Sequence, residues 1–267
     1  MIPNDADTPA VIITEVDDIL LMRLNRPRVK NALNRDALRL LVEGYTALSN
    51  SNRLRCGVVC GEGDVFCAGL DLADVMPASI AEGAASYLKP GQCDPFGMYG
   101  PPCAKPVITA VHGRCYTAGL ELALAADMCV AAKGTLFSQQ ETTRGIFPLG
   151  GATIRLPMAI GWGGAMHCIL AGGGFSAEDA HRWGFVQMLT EPGAQLDAAL
   201  SLARKVALSA PLAVQAALAN ARLAQTDGVR AAIEHIRTEG RRVALSADAR
   251  EGMMSMMERR AAKFVGS

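Results

Sequence analysis

Short runs of branched apolar residues alternate with stretches of helical spacing from Val11 to Ala131, and this alternation restricts the chain to a sheet with helices packed over it. Val11 to Glu15 and Ile19 to Leu24 predict a β-hairpin turning at Asp17-Asp18. Asn34 stands before apolar residues at Ala37, Leu38, Leu41, Val42 and Tyr45, an N-cap followed by helical spacing, and Cys56 to Cys60 reads as a buried strand. Val107 to Val111 predicts another strand, Leu120 to Ala126 a helix of small residues, and Met128 to Ala131 a further strand. Repeated units of this kind make a mostly parallel sheet, and ligands in such folds sit at the loops beyond the strand ends.

After Ala177 the pattern is almost entirely helical, over Leu196 to Leu208, Leu212 to Leu223, Val229 to Arg242 and Asp248 to Lys263, with breaks at Pro192, Pro211 and Gly228. Glu82 to Pro102, rich in glycine and proline, predicts a long irregular segment flanking the site, a candidate lid. A chain of 267 residues suits one α/β domain with a helical extension. Its 26 basic and 26 acidic side chains cancel, so nothing draws it generally to nucleic acid or to anionic membranes, and an anionic ligand must be held by local groups. The eight cysteines are scattered through apolar runs and read as reduced, buried thiols. Cys56 and Cys60 would share one strand face without forming a zinc-ligand pair, so no metal is expected. The N-terminus carries Asp5 and Asp7 in place of a basic leader, and no segment has the uninterrupted apolar length of a membrane span; a soluble, cytoplasmic protein is expected.

Three loops carry candidate chemistry. Phe66-Cys67-Ala68-Gly69-Leu70-Asp71-Leu72 is a small-residue turn in which Gly69 permits close approach of a ligand, Asp71 could cap the following helix, and the Leu70 N–H could face an anionic oxygen. Thr117-Ala118-Gly119-Leu120-Glu121 is a helix start, with an orphan N–H at Ala118 and a carboxylate one turn on. Gln139-Gln140-Glu141 sets a second carboxylate in a strand-exit loop, 20 positions after the first. Taken singly, Glu121 is an ordinary partner of a helix dipole, and Glu141 an ordinary helix-start residue paired with Arg144.

Together these segments resemble the crotonase superfamily, the enoyl-CoA hydratase/isomerase family. The Phe-x-Ala-Gly-x-Asp-Leu turn at Phe66 to Leu72, the Lys-Pro-Val-Ile-x-Ala-Val-x-Gly run from Lys105, Ala126-Asp127, Glu141 and Gly150-Gly151 carry the resemblance, which covers nearly the whole chain. It implies a crotonase-like (ClpP/crotonase) α/β fold of β-β-α units, with a core over 1–200 and a C-terminal helical trimerisation region over 201–267. It implies an oxyanion hole from the N–H groups of Leu70 and Ala118, Glu121 as the water-activating base and Glu141 as the proton donor. Arg28, Val29, Lys30 and Ala32 are placed against the adenine end and pantetheine of coenzyme A, with Ala68, Gly69, Asp71, Leu72 and Gly119 on the substrate side. Arg259 is placed near a neighbouring subunit's phosphates.

The resemblance further implies an acyl-CoA substrate, a homo-oligomer (trimer or dimer of trimers), and no cofactor beyond the substrate's coenzyme A. Enoyl-CoA hydration is the activity expected from two matched glutamates. A double-bond isomerase, another acyl-CoA lyase or a thioester hydrolase could use the same oxyanion hole. A silent CoA- or RNA-binding member would need lost carboxylates or a basic first helix, whereas Arg35 and Arg39 there face Asp36 and Glu43. The chain departs from the family pattern at Thr117-Ala118-Gly119, which replaces a glycine-rich run, at Gln140 in place of a proline, and at His112 in place of an asparagine; His112 reads as a structural hydrogen-bonding residue.

Overall fold

A computed structural model describes residues 8–267, so the acidic stretch holding Asp5 and Asp7 lies outside the described residues. The hairpin forms as β1 (Val11–Val16) and β2 (Ile19–Leu24), with Asp17 taking the left-handed turn conformation at φ 56°. Helix α1 (Arg35–Asn50) starts on Asn34, whose side chain accepts the Ala37 N–H at 2.9 Å. Strands β3 (Cys56–Gly61), β4 (Val107–Val111), β6 (Met128–Ala132) and β9 (Met188–Thr190) join the hairpin in a six-stranded sheet of order β1-β2-β3-β4-β6-β9. Only the β1–β2 pair is antiparallel.

Both faces of this sheet are covered, as the unbroken apolar strands require. Alternate residues part to opposite sides. Ile19, Leu21, Cys56, Val58, Cys60 and Ile108 pack with Ala199 and Ala203 of α7 (Gln195–Ala207), while Leu20, Met22, Leu24 and Val59 join Leu38, Leu41, Tyr45 and Leu48 of α1 in the larger core. Cys56 and Cys60 do share a face, and all eight cysteines are buried free thiols. Helix α7 is continuous across residues 200 and 201.

A second sheet escapes the sequence pattern. Strands β5 (Arg114–Tyr116), β7 (Leu136–Ser138) and β8 (Gly174–Ser176) pair in the order β5-β7-β8, and runs of three residues are too short to show a period. Phe137 of β7 is fully buried, stacked on Phe175 at 5.1 Å and edge-on to Phe185 at 5.3 Å, so the loop leaving β7 starts from a rigid point. Between α2 (Leu72–Glu82) and β4 the chain has neither helix nor strand, as expected. Helices α3 (Ala118–Ala125), α4 (Ala152–Ile160), α5 (Trp162–Ala171) and α6 (Ala177–Trp183) close the larger core, and α5 ends before β8.

The last third is not purely helical, because β9 adds the sheet's outer strand. Beyond α7 the chain turns by 108° into α8 (Pro211–Thr226), which packs on α9 (Val229–Ala244), followed by α10 (Ala247–Met257). Helix α10 stops six residues before Lys263, the expected end, because Asp248 accepts the N–H groups of Val265 and Gly266 at 2.7 and 2.9 Å and folds the tail back. Within this chain Val229, Ile233, Ile236, Met253, Met254, Met256 and Met257 stay exposed.

Candidate active site

The turn after β3 is laced on both sides. Its Cys67 bridges Cys115 of β5 through Cys67 N to Arg114 O at 3.1 Å and Tyr116 N to Cys67 O at 2.9 Å. On the other side Ala68 N donates to Lys30 O at 2.9 Å, Leu33 N to Gly69 O at 2.8 Å, and Asp71 N to Leu33 O at 2.8 Å. The Leu70 N–H is left without an acceptor among the described residues. Asp71 does not cap α2, contrary to expectation. Its carboxylate instead accepts both terminal nitrogens of Arg26 at 3.1 Å, and the buried Arg26 also donates to Ala32 O at 2.6 Å. This ion pair ties the Leu70 turn to the segment of Arg28, Val29, Lys30 and Ala32.

Gly69 and Thr117 bring the second donor alongside. Gly69 has φ 111°, and a β-carbon there would overlap Thr117 Oγ1, so the two turns touch. Thr117 itself sits at φ 50°, ψ −119°, a region that a β-branched residue enters only when its surroundings impose it, at a cost of order 1–3 kcal/mol. Its N–H is held by Ser138 O at 2.9 Å, which turns the chain so that α3 begins at the buried Ala118. The Ala118 N–H, one of the orphan donors of the first helical turn, has no acceptor among the described residues. Gly119 lies directly on Cys67, where a β-carbon would stand 2.7 Å from the Cys67 β-carbon.

Glu121 follows on α3 and is 3% exposed. Its Oε1 accepts the N–H groups of Gly150 at 2.8 Å and Ala152 at 3.1 Å, placing the carboxylate on the N-terminus of α4. Burial pushes the carboxyl up to about 7, with Glu141 adding to the rise and the two N–H groups and Arg155 opposing it. Gly150 is required by contact alone, since a β-carbon there would lie 2.6 Å from Glu121 Oε2 and 2.9 Å from its Cβ.

Glu141 leaves β7 by way of Gln139 and starts a single 3-10 turn over Thr142–Arg144. It is buried, and burial raises its carboxyl above the ordinary range. The Gln139 amide, wholly buried, donates to Glu141 Oε1 at 2.8 Å, while Glu141 Oε2 has no partner among the described residues. No ion pair forms with Arg144, whose guanidinium donates to Gln140 Oε1 at 3.2 Å. His112 makes the expected hydrogen bond, its Nε2 at 2.8 Å from Gly63 O, while its buried Nδ1 has no partner among the described residues.

The Arg28–Ala32 segment is shaped by consecutive left-handed residues, Lys30 at φ 55° and Asn31 at φ 54°, and by the Asn31 amide donating to Glu62 O and Val65 O at 2.8 and 2.7 Å. Arg28 and Lys30 are exposed beside the Leu70 turn. Leu72 opens α2. Arg259 lies exposed just past the end of α10, at φ 52°. The segment expected to be irregular is pinned by Asp94, 1% exposed, which accepts from Tyr87 Oη, Phe96 N, Met98 N and Tyr99 N at 2.8–3.0 Å. Phe96 belongs to the core, while Met98 lines a cavity of about 830 Å³ between α3, α4 and α8. Sequence reading missed Arg26, Asp94, Gln139 and Arg155; Arg26 acts on a partner 45 residues away, Asp94 and Arg155 act on backbone groups, and Gln139 meets Glu141 only because both side chains turn inward from the loop after β7, and no motif marks any of these.

The raised Glu121 carboxyl has a consequence for stability. Above pH 4.5 the unfolded chain ionises while the folded one stays protonated, so stability falls as pH rises to about 7, by roughly 3 kcal/mol in all. Glu121→Gln is therefore expected to raise the melting temperature relative to wild type at pH 8 and not at pH 4.5, read by calorimetry. An offset of the same size at both pH values would show that burial does not disfavour the carboxylate.

The sequence pattern of the enoyl-CoA hydratase/isomerase family matches residues 14–267. Enoyl-CoA hydratase EchA19 of Mycobacterium tuberculosis is 30% identical over 266 residues, with 96% of each chain covered. A 1,2-epoxyphenylacetyl-CoA isomerase of Escherichia coli is also 30% identical, over 93% of this chain and 95% of that one. The crystal structure of a probable enoyl-CoA hydratase/isomerase from Mycobacterium abscessus superposes with a TM-score of 0.92 at 41% identity, over 97% of this chain and 99% of that one.

Proposed function

The chain belongs to the enoyl-CoA hydratase/isomerase family and has its crotonase-like α/β fold, and from that premise we propose that it adds water, syn, across the double bond of a 2-enoyl-CoA thioester. The observation that carries the reading is a pair of buried glutamates, one resting on a helix N-terminus with its carboxyl at about 7 and the other with a carboxylate oxygen left unpaired, beside two unused N–H groups. The thioester oxygen accepts from the Leu70 and Ala118 N–H groups, which favour the charge it gains as the enolate forms. Glu121 takes a proton from water as its oxygen bonds to C3, and Glu141 gives a proton to C2. Burial raises both carboxyls, and at about 7 Glu121 is not locked in one protonation state near neutral pH.

Coenzyme A runs along Arg28, Val29, Lys30 and Ala32, past Ala68, Gly69, Asp71, Leu72 and Gly119, and no further cofactor takes part. Arg259 of a neighbouring subunit reaches its phosphates in a trimer or dimer of trimers, which the exposed apolar faces of α9 and α10 favour. A cytoplasmic location completes the reading; no single helix among the described residues is long and apolar enough to cross a membrane. A double-bond isomerase is the alternative, because the matching family includes isomerases as well as hydratases and one glutamate suffices to move a proton from C2 to C4.

The test is turnover of a panel of 2-enoyl-CoA thioesters followed by loss of absorbance of the conjugated thioester, with 3-enoyl-CoA substrates run in parallel. Hydration of 2-enoyl substrates without isomerisation of the 3-enoyl ones is expected. Isomerisation alone would overturn the assignment and keep the oxyanion hole.

A further inference from the structure

Glu121 is held by a turn that has little reason to hold its own shape. The two N–H groups on Glu121 Oε1 come from Gly150 and Ala152, on either side of Gly151, which is at φ 99°. Two successive glycines leave the intervening peptides free to rotate. The last of them is fixed by α4 itself, whose Ile154 and Arg155 N–H groups donate to Gly151 O at 3.1 and 2.9 Å, while the other two carbonyls of the turn are gripped from outside. Arg155, one turn into α4, curls back so that its Nη1 donates to Gly150 O at 3.2 Å, with Met98 Sδ at 3.7 Å on the same nitrogen. Tyr99 Oη donates to Leu149 O at 3.2 Å, on the very peptide whose N–H donates to Glu121.

Met98 and Tyr99 are in turn fixed by Asp94, which accepts both their N–H groups at 2.8 Å. Arg155 also carries a positive charge that opposes the rise of the Glu121 carboxyl, against Glu141 from the loop after β7. The other ionisable groups facing it from the irregular segment, Tyr87 and Tyr99, remain neutral because burial raises their hydroxyls further above their usual range. Asp94 faces Arg155 from that segment.

We propose that Arg155 is a positioning residue for Glu121, clamping the Gly150 carbonyl so that the Gly150 and Ala152 N–H groups stay on the carboxylate, with Tyr99 as the second point of the clamp. A neutral side chain at 155 frees the turn and removes the opposing charge together. The base then binds its proton at higher pH and is aimed less well. The inference rests on Glu121 being the base, and it also ties that base to the wall built around Asp94, so that an acyl group pressing on Met98 or Tyr99 would disturb catalysis as well as binding.

The test combines pH–rate profiles with amide hydrogen exchange on Arg155→Met, Arg155→Lys and Tyr99→Phe. Arg155→Met is expected to move the acid limb of kcat/KM upward by about half a unit or more and to lower kcat about tenfold, with KM for the thioester changed by less than about threefold. Exchange at Gly150 and Ala152 should quicken while α1 and β3 are unaffected. Arg155→Lys should return the limb toward wild type, and Tyr99→Phe, which removes one hydroxyl, should quicken the same two amides to a smaller degree. Unchanged exchange at these two amides in Tyr99→Phe overturns the proposal whether or not Arg155→Met folds, and so does a stationary limb in a folded Arg155→Met. Exchange needs no turnover: if Glu121→Gln proves fully active the base assignment fails, while quickened Gly150 and Ala152 amides would still show the clamp.

Discussion

Glu121→Gln is expected to lower kcat/KM for a 2-enoyl-CoA by about two to four orders of magnitude, and Glu141→Gln by a similar amount, on the scale of positioned acid–base groups. The amide substitution is informative because it keeps the volume and still offers an oxygen to the Gly150 and Ala152 N–H groups that hold the Glu121 carboxylate at 2.8 and 3.1 Å. Only the ability to accept a proton is removed. At Glu141 the new amide can turn its oxygen to the Gln139 amide, which donates to Oε1 at 2.8 Å, so the loop after β7 keeps its course. The double variant should be little worse than either single one, because the two groups act on one water and one enolate. Losses below about tenfold in either variant would remove that residue from proton transfer, and full activity of Glu141→Gln with a dead Glu121→Gln would leave Glu121 as the single proton-transfer glutamate.

Gly69→Ala is expected to cost at least about 100-fold in kcat, the scale of losing one oxyanion donor, while leaving the two glutamates in place. Two effects combine at this position: φ is 111°, and the new methyl would overlap Thr117 Oγ1. Either turn must retreat, and the turns carry Leu70 and Ala118. The compensating change is Thr117→Gly, which removes the hydroxyl and suits φ 50° without strain. Gly69→Ala with Thr117→Gly should therefore recover at least about tenfold of the lost kcat, whereas a general weakening of the fold would show equal losses in the single and double variants. Melting temperatures recorded on all three separate the two outcomes.

Much of the architecture follows from local pattern. Asn34, the hairpin at Asp17 and the strands from Cys56, Val107 and Met128 lie where periodicity and capping place them, because these signals are carried by residues within four positions of one another. The motif turns at Phe66 and Thr117 and the two glutamates could be picked out as well, since each is a short string of unusual residues. The strands β5, β7, β8 and β9 could not, at three residues apiece, and Asp71 was misread because its partner Arg26 is 45 residues away.

By itself the sequence determined the alternation of strands and helices, the family resemblance and the identity of the two carboxylates. The tertiary structure alone decided what those carboxylates experience: burial, the N–H groups of Gly150 and Ala152 reaching Glu121 across 29 and 31 residues, the Gln139 amide on Glu141, and the Arg155 grip on Gly150. The division has one physical cause. Backbone propensity and capping act over a single turn, whereas desolvation and a donated hydrogen bond depend on which distant segments the packed core brings together, and those cannot be read until the sheet and its covering helices have closed.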